Sequence, residues 1–302
     1  MDENIFGKTI IATDGQHVLC NPPRDDMLGL APCNQEEADT RIMVHIADAI
    51  KEGHTRVMIR TVDTDVVVIV VSCFHAINAA EIWVAFGTGK HFRYISIHEL
   101  ANTLGLEKAY ALPVFHAFTG CDTVSSFAGK GKKTAWDTWM AFNDVTRPFI
   151  VMRDQPRTVN VETTIMPLIE RFVILMYDRT NISEKVNEAR KHLFAQKGRS
   201  IEGIPPTQSA LFQHTKRSIY QGGIVWGECL KLEPQLPSPN AFGWIKDKSD
   251  QWQPFWSDIS EASSSCQELI HCGCKRGCRG RCKCGQTALP CTALCACGGE
   301  CE

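Results

Sequence analysis

The chain has 302 residues, 44% hydrophobic and 22% charged, so it carries enough apolar material for a sizeable core and is not a disordered segment. A formal net charge of -2 gives no global attraction to nucleic acid, and any such binding must come from local basic patches. No basic, apolar and small-residue succession reads as a secretory leader, and the apolar run at 66–71 is too short to cross a bilayer, so a nuclear or cytoplasmic protein is expected.

In chain order, residues 9–20 read as a hairpin with Asp14-Gly15 in its turn. Residues 34–53 carry helical signals: Asn34 as a cap with Glu37 three residues on, an apolar face of Ile42, Met43, Ile46, Ala49 and Ile50, and Gly53 as a stop. A short strand is expected over 56–61, and the apolar run 66–71 reads as a second, fully buried strand. Helix followed by buried strand implies a parallel sheet. Residues 92–96 read as a strand and 97–104 as a short helix ending at Gly105. Further on, amphipathic helices are expected over 163–178, 183–196 and 207–220, with a proline-rich loop at 233–239. Trp244, Trp252 and Trp256 are read as packing on these helices.

Two acids, Asp63 and Asp65, stand directly before the apolar run. Carboxylates packed there cost several kcal/mol unless paired or ligated, so something cationic is expected beside them. Parallel α/β sheets bind ligands at the carboxyl ends of their strands, and clustered oxygen donors suit Mg²⁺ or Mn²⁺. Other roles compete for each acid. Glu36 and Glu37 can simply complement a helix dipole, and with Asn34 as the cap, Glu37 and Asp39 would point roughly 200 degrees apart. Asp122 can be a turn or cap residue, Asp14 reads as a turn residue, and His116, between Phe115 and Phe118, reads as a satisfied core histidine.

The order Glu37-Ala38-Asp39, Asp63-Thr64-Asp65, Gly120-Cys121-Asp122 and Gly129-Lys130-Gly131-Lys132-Lys133 resembles the flap-endonuclease branch of the PIN-like nucleases over about 100 residues. That resemblance implies a three-layer α/β/α core with a mainly parallel central sheet, and phosphodiester hydrolysis of duplex, flap or nicked DNA by two Mg or Mn ions. Glu37, Asp39, Asp63, Asp65 and Asp122 would hold the ions, with Asp63, Asp65 and Asp122 as the catalytic carboxylates. Gly129, Lys130, Gly131, Lys132 and Lys133 would start the second helix of a DNA-gripping helix-turn-helix. The family's first-strand aspartate and its helical arch are not evident, so the core reads as incomplete at its amino-terminal side. An inactive nucleic-acid-binding protein is therefore the alternative, and a zinc-organised protein-interaction module the second.

Nine of the fifteen cysteines fall between 272 and 301: Cys272, Cys274, Cys278, Cys282, Cys284, Cys291, Cys295, Cys297 and Cys301. The segment has almost no large apolar residues, so metal must supply its folding energy. A disulfide knot is the competing reading, against which the odd number counts. Nine thiolates satisfy three four-coordinate zinc ions only if three sulfurs bridge. The pattern resembles the tesmin-type CXC domain, and more loosely the nine-cysteine pre-SET clusters, and implies three zinc ions. Lys275, Arg276, Arg279, Arg281 and Lys283 either offset the cluster's negative charge or contact DNA, with Arg279 and Arg281 the DNA candidates. Arg281 replaces the tyrosine with which that family touches DNA. The two resemblances together are similar to animal proteins associated with mobile elements and imply a nuclear DNA partner. The expected organisation is a hairpin (1–30), the PIN-like core (31–150), a helical extension (151–259), a linker (260–271) and the zinc module (272–302).

Overall fold

The computed structural model describes residues 7–195, 201–257, 272–274, 284, 291 and 295–297. The chain forms two compact units, Met1–Trp256 and Ser257–Glu302. The larger unit is mixed α/β with three small sheets. Strands β1 (Ile10–Asp14) and β2 (His17–Asn21) make the expected hairpin, with Asp14 paired to His17 across its turn. Helix α1 spans Ala38–Lys51, so its cap is Glu37 and not Asn34, whose backbone N-H instead donates to the Leu232 carbonyl at 3.0 Å.

The central sheet has the order β3-β4-β5, from Arg56–Thr61, Glu81–Phe86 and Arg93–Ser96. β3 and β4 run parallel, and β4 and β5 antiparallel, so the sheet is mixed and not mainly parallel. The expected buried strand at 66–71 is helix α2 (Thr64–Cys73). Its β-branched run disfavours a helix only weakly, and burial of Val66, Val68, Ile69, Val70 and Val71 overrides that propensity. A helix apolar on every side is a core helix, and α2 serves as the crossover between the two parallel strands. One sheet face buries Ile59, Ile82 and Val84 against α1, α2 and α3. The other leaves Met58 64% and Tyr94 58% exposed, so the expected third layer is absent among the described residues.

Helix α3 runs over Ile97–Phe118 with a break at Gly105 (φ 75°), where the expected short helix stops and a second segment resumes. Its far side joins a larger core with α4 (Lys132–Ala141), α5 (Thr146–Asp154), α6 (Met166–Tyr177), α7 (Val186–Ala195) and α8 (Gln208–Ser218). α8 continues as a π-helix over Ile219–Val225. Gly222 and Gly223 allow this turn to touch its neighbours: a Cβ on Gly222 would lie 2.7 Å from Val114 Cα, and one on Gly223 would strike the Met152 carbonyl. The hairpin of β6 (Trp244–Lys246) and β7 (Trp252–Pro254) closes the unit.

His214 links α8 to the end of α3: it is 5% exposed, its Nε2 lies 2.8 Å from the Phe118 carbonyl, and its ring packs on Phe118 and Phe127. Burial pushes its pKa down from 6.5 to about 4, against the opposing pull of the Phe118 carbonyl. Between those values the unfolded chain binds the proton and the folded one does not, so stability rises with pH across the window. Urea unfolding should therefore show a loss of about 3 kcal/mol between pH 6.5 and pH 4 from this residue. A His214→Gln variant, less stable at pH 7, should lose less of its remaining stability over the same interval.

Candidate metal centres

Strand β3 delivers the chain to the first site. At its end Thr61 Oγ1 accepts from the Asp63 N-H at 3.0 Å, and the Asp63 carboxylate accepts from the Asp65 N-H at 2.8 Å, capping α2. Asp65 lies in the first turn of α2, and Asp39 in the first turn of α1. Because α1 begins just after Glu37, that residue is a cap rather than part of the helix surface, and the angular conflict with Asp39 disappears. One carboxylate oxygen from each of Asp39, Asp63 and Asp65 falls within 4.8 Å of the others.

The electrostatics widen the group. The Asp39 carboxyl is pushed up from 3.8 to about 6, first by burial and then by the charges of Asp63, Asp65, Glu37 and Asp122. Burial also raises Glu37, against hydrogen bonds from Gln221 and Trp226 and with a further push from Asp65. Asp122 sits on the turn after α3, where Gly120 has a φ of +111° and a Cβ there would come 2.8 Å from Ser126 Cβ. Acids from three separate stretches of chain thus act on a single carboxyl group. Asp14, in its hairpin, is not among them.

His116, on α3, is buried as a core histidine would be, but its Nε2 lies 2.9 Å from Asp65 Oδ1, and its ring is 6.0 Å from that of Trp226. It is the one ion-pair partner of these five carboxylates among the described residues. The local sequence gives no signal for that contact, since fifty-one positions separate the two residues. Gln221 and Trp226 were equally hidden, because they belong to the helical region and reach the site only through the π-helical turn.

The donors fit a hard divalent cation. Oxygen ligands of one such ion sit about 3–4 Å apart, compatible with the Asp39, Asp63 and Asp65 group, and mutual repulsion is what a bound cation would relieve.

The basic segment leads into the first turn of α4. Gly129 has a φ of +66°, and Gly131 caps α4 as expected. Lys130 lies over the Tyr177 ring at 5.1 Å, and Lys133 pairs with Asp137 at 3.0 Å while remaining 88% exposed. Lys132 has an exposed stem, yet its ammonium is lodged against the His116 carbonyl (2.9 Å), Thr119 Oγ1 (3.2 Å) and the Gly120 carbonyl. Burial of that head lowers its pKa from 10.5 to about 8, with Cys121 and Asp65 opposing. Lys132 therefore holds the turn carrying Asp122.

Beside the acids lies a cleft of about 460 Å³. Glu37, Thr40, Thr123, Tyr220, Trp244 and Trp252 are among the residues that line it. Trp244 packs on the helical core as expected, but Trp252 is 40% and Trp256 58% exposed.

In the smaller unit, sulfurs of Cys272, Cys284, Cys291 and Cys295 lie within 4.8 Å of one another. Two of their separations are 3.8 Å (Cys272 to Cys291) and 3.6 Å (Cys284 to Cys295), close to the roughly 3.8 Å edge of a tetrahedron with metal-sulfur bonds of about 2.3 Å. This group could hold a metal ion, and Cys274 and Cys297 pack against it. Cys278, Cys282, Cys301, Arg279 and Arg281 lie outside the described residues.

Comparison with family models, curated proteins and solved structures finds no match to this chain.

Two measurements address these centres. Because Asp39 is raised in the fold, its contribution to stability is present below about pH 4 and lost as pH rises through about 6. In metal-free buffer Asp39→Asn should raise the melting temperature at pH 8, with an advantage that shrinks toward pH 5, and should blunt the stabilisation that Mg²⁺ gives the wild type. For the cysteines, elemental analysis of the purified chain should find a bound metal ion. Removing it with a chelator should expose the thiols to a thiol reagent while leaving the helical circular dichroism of Met1–Trp256 in place.

Proposed function

We propose that the acidic cluster is the divalent-metal centre of a phosphodiester hydrolase acting on DNA, built on a core of the PIN-like, flap-endonuclease type. One observation carries this reading: carboxylate oxygens of Asp39, Asp63 and Asp65, from two separate stretches of sequence, lie within 4.8 Å of one another, and the charges of Glu37 and Asp122 bear on the same group. A fold that gathers five carboxylates, with His116 the one side chain among the described residues within ion-pair distance of any of them, costs stability, and a function for divalent cations explains the arrangement.

Asp39, Asp63 and Asp65 would hold Mg or Mn ions directly, with Glu37 and Asp122 completing the set. When bound, two such ions supply a Lewis acid for the phosphate and a water acidic enough to attack near neutral pH. The protein's part is positioning. His116 orients Asp65 through its 2.9 Å hydrogen bond, Gln221 and Trp226 orient Glu37, and Lys132 braces the Gly120 turn that presents Asp122. The N-terminus of α4, capped by Gly131 and flanked by the exposed Lys133, offers free N-H groups to a backbone phosphate without reading bases. The cysteine-rich unit we read as a tesmin-type CXC module holding three zinc ions, with Arg279 and Arg281 toward DNA, and a nuclear location follows from a DNA partner.

The test is cleavage of flap and nicked duplexes with Mg²⁺ or Mn²⁺ by the full chain and by an Asp63→Asn, Asp65→Asn double variant. Cleavage by the wild type, reduced at least ~100-fold in the variant, is the expected result. Equal cleavage by both proteins rejects the site, and DNA binding without product in any metal transfers the reading to a non-hydrolytic binding protein.

A further inference from the structure

The cleft beside the acidic cluster has a chemically mixed lining. It includes Glu37, whose charge belongs to the acidic group, and Thr123, the residue after Asp122. It also includes Tyr220, Trp244 and Trp252, an aromatic wall. Gln221 lines it as well, accepting from Thr123 Oγ1 at 3.0 Å. The Tyr220 hydroxyl donates to the Pro237 carbonyl at 3.2 Å. Asn34 adds a carboxamide that makes no hydrogen bond among the described residues. Such a group can donate and accept at once.

About 460 Å³ is within the range of clefts that take small ligands, and aromatic walls with a few polar groups suit a flat, partly polar ring. The ligand must also tolerate a cation-binding carboxylate cluster at one end, which calls for a phosphate on the same molecule. We propose that this cleft is a nucleobase subsite, taking an unstacked base of the nucleotide whose phosphate meets the acidic cluster. The placement of the phosphate rests on the hydrolase reading above, whereas the aromatic wall is an independent feature. A base held there must leave the duplex stack, so the site favours single-stranded or frayed ends over continuous duplex.

The experiment is titration calorimetry of the full chain, in Mg²⁺, with the four deoxynucleoside 5′-monophosphates and with 2-deoxyribose 5-phosphate, which lacks the base. The wild type should bind the nucleotides about tenfold or more tightly than the sugar phosphate. Trp252→Ala, at a partly exposed position, should reduce the nucleotides to the affinity of the sugar phosphate. Trp256→Ala, at an exposed ring outside this cleft, should leave the preference intact. Equal binding of the two ligand types by the wild type, no nucleotide binding at all, or equal effects of the two tryptophan variants would overturn the proposal. The Asp63→Asn, Asp65→Asn variant separates the two readings. Should it keep the full nucleotide affinity, the phosphate does not meet these acids and the hydrolase reading falls, while a surviving preference for base over sugar phosphate still supports the subsite.

Discussion

The gathering of carboxylates where α1 and α2 begin is the constraint on which the candidate site depends. Asp39 and Asp65 occupy the first turns of two helices, and Glu37 and Asp63 are the caps of the same two helices, so four acids meet two positive helix ends. Partial charges of that kind lower the cost of gathering acids by a fraction of a kcal/mol to about 1 kcal/mol each. Burial first, and then the neighbouring charges, still raise the carboxyl of Asp39. A local motif that merely capped helices would not need the fifth acid, and Asp122 arrives on a turn that Gly120 and Lys132 have to hold in place.

Helix α3 connects that cluster to everything else. It lies between two cores, giving Ala109 and Ala117 to the sheet side and Val114, Phe115 and Phe118 to the helical side. On it His116 is aimed at Asp65, and the carbonyls at its end hold Lys132. The π-helical turn after α8 docks against the same helix through two glycines, which brings Gln221 and Trp226 to Glu37. Residues that read as a separate helical extension thus form part of one compact unit and furnish the back wall of the site.

The basic segment shows how lysines adjacent in sequence take separate roles within the fold. Of three lysines in four positions, one lies on a tyrosine ring, one braces a turn from within and one pairs with a neighbouring aspartate. An ammonium satisfies the nearest strong acceptor, and here helix-end carbonyls at short range compete with any external phosphate.

Taken alone, the sequence determined what depends on neighbours a few positions away. The hairpin at Asp14-Gly15, the strand at 56–61, the break at Gly105, the three later amphipathic helices and the convergence of closely spaced cysteines all rest on turn chemistry, periodicity or short loops. The family resemblance of its motifs grouped Asp39, Asp63, Asp65, Glu37 and Asp122, of which Asp39, Asp63 and Asp65 stand together in the fold. Tertiary structure decided the rest. Residues 64–73 are apolar throughout, a pattern that suits a buried strand or a buried helix alike, and only packing against α1 and α3 selects the helix. The partner of His116, the inward turn of Lys132 and the reach of Gln221 and Trp226 to Glu37 are contacts between residues distant in sequence. No local propensity encodes such contacts, because their energy exists only once the chain has closed around them.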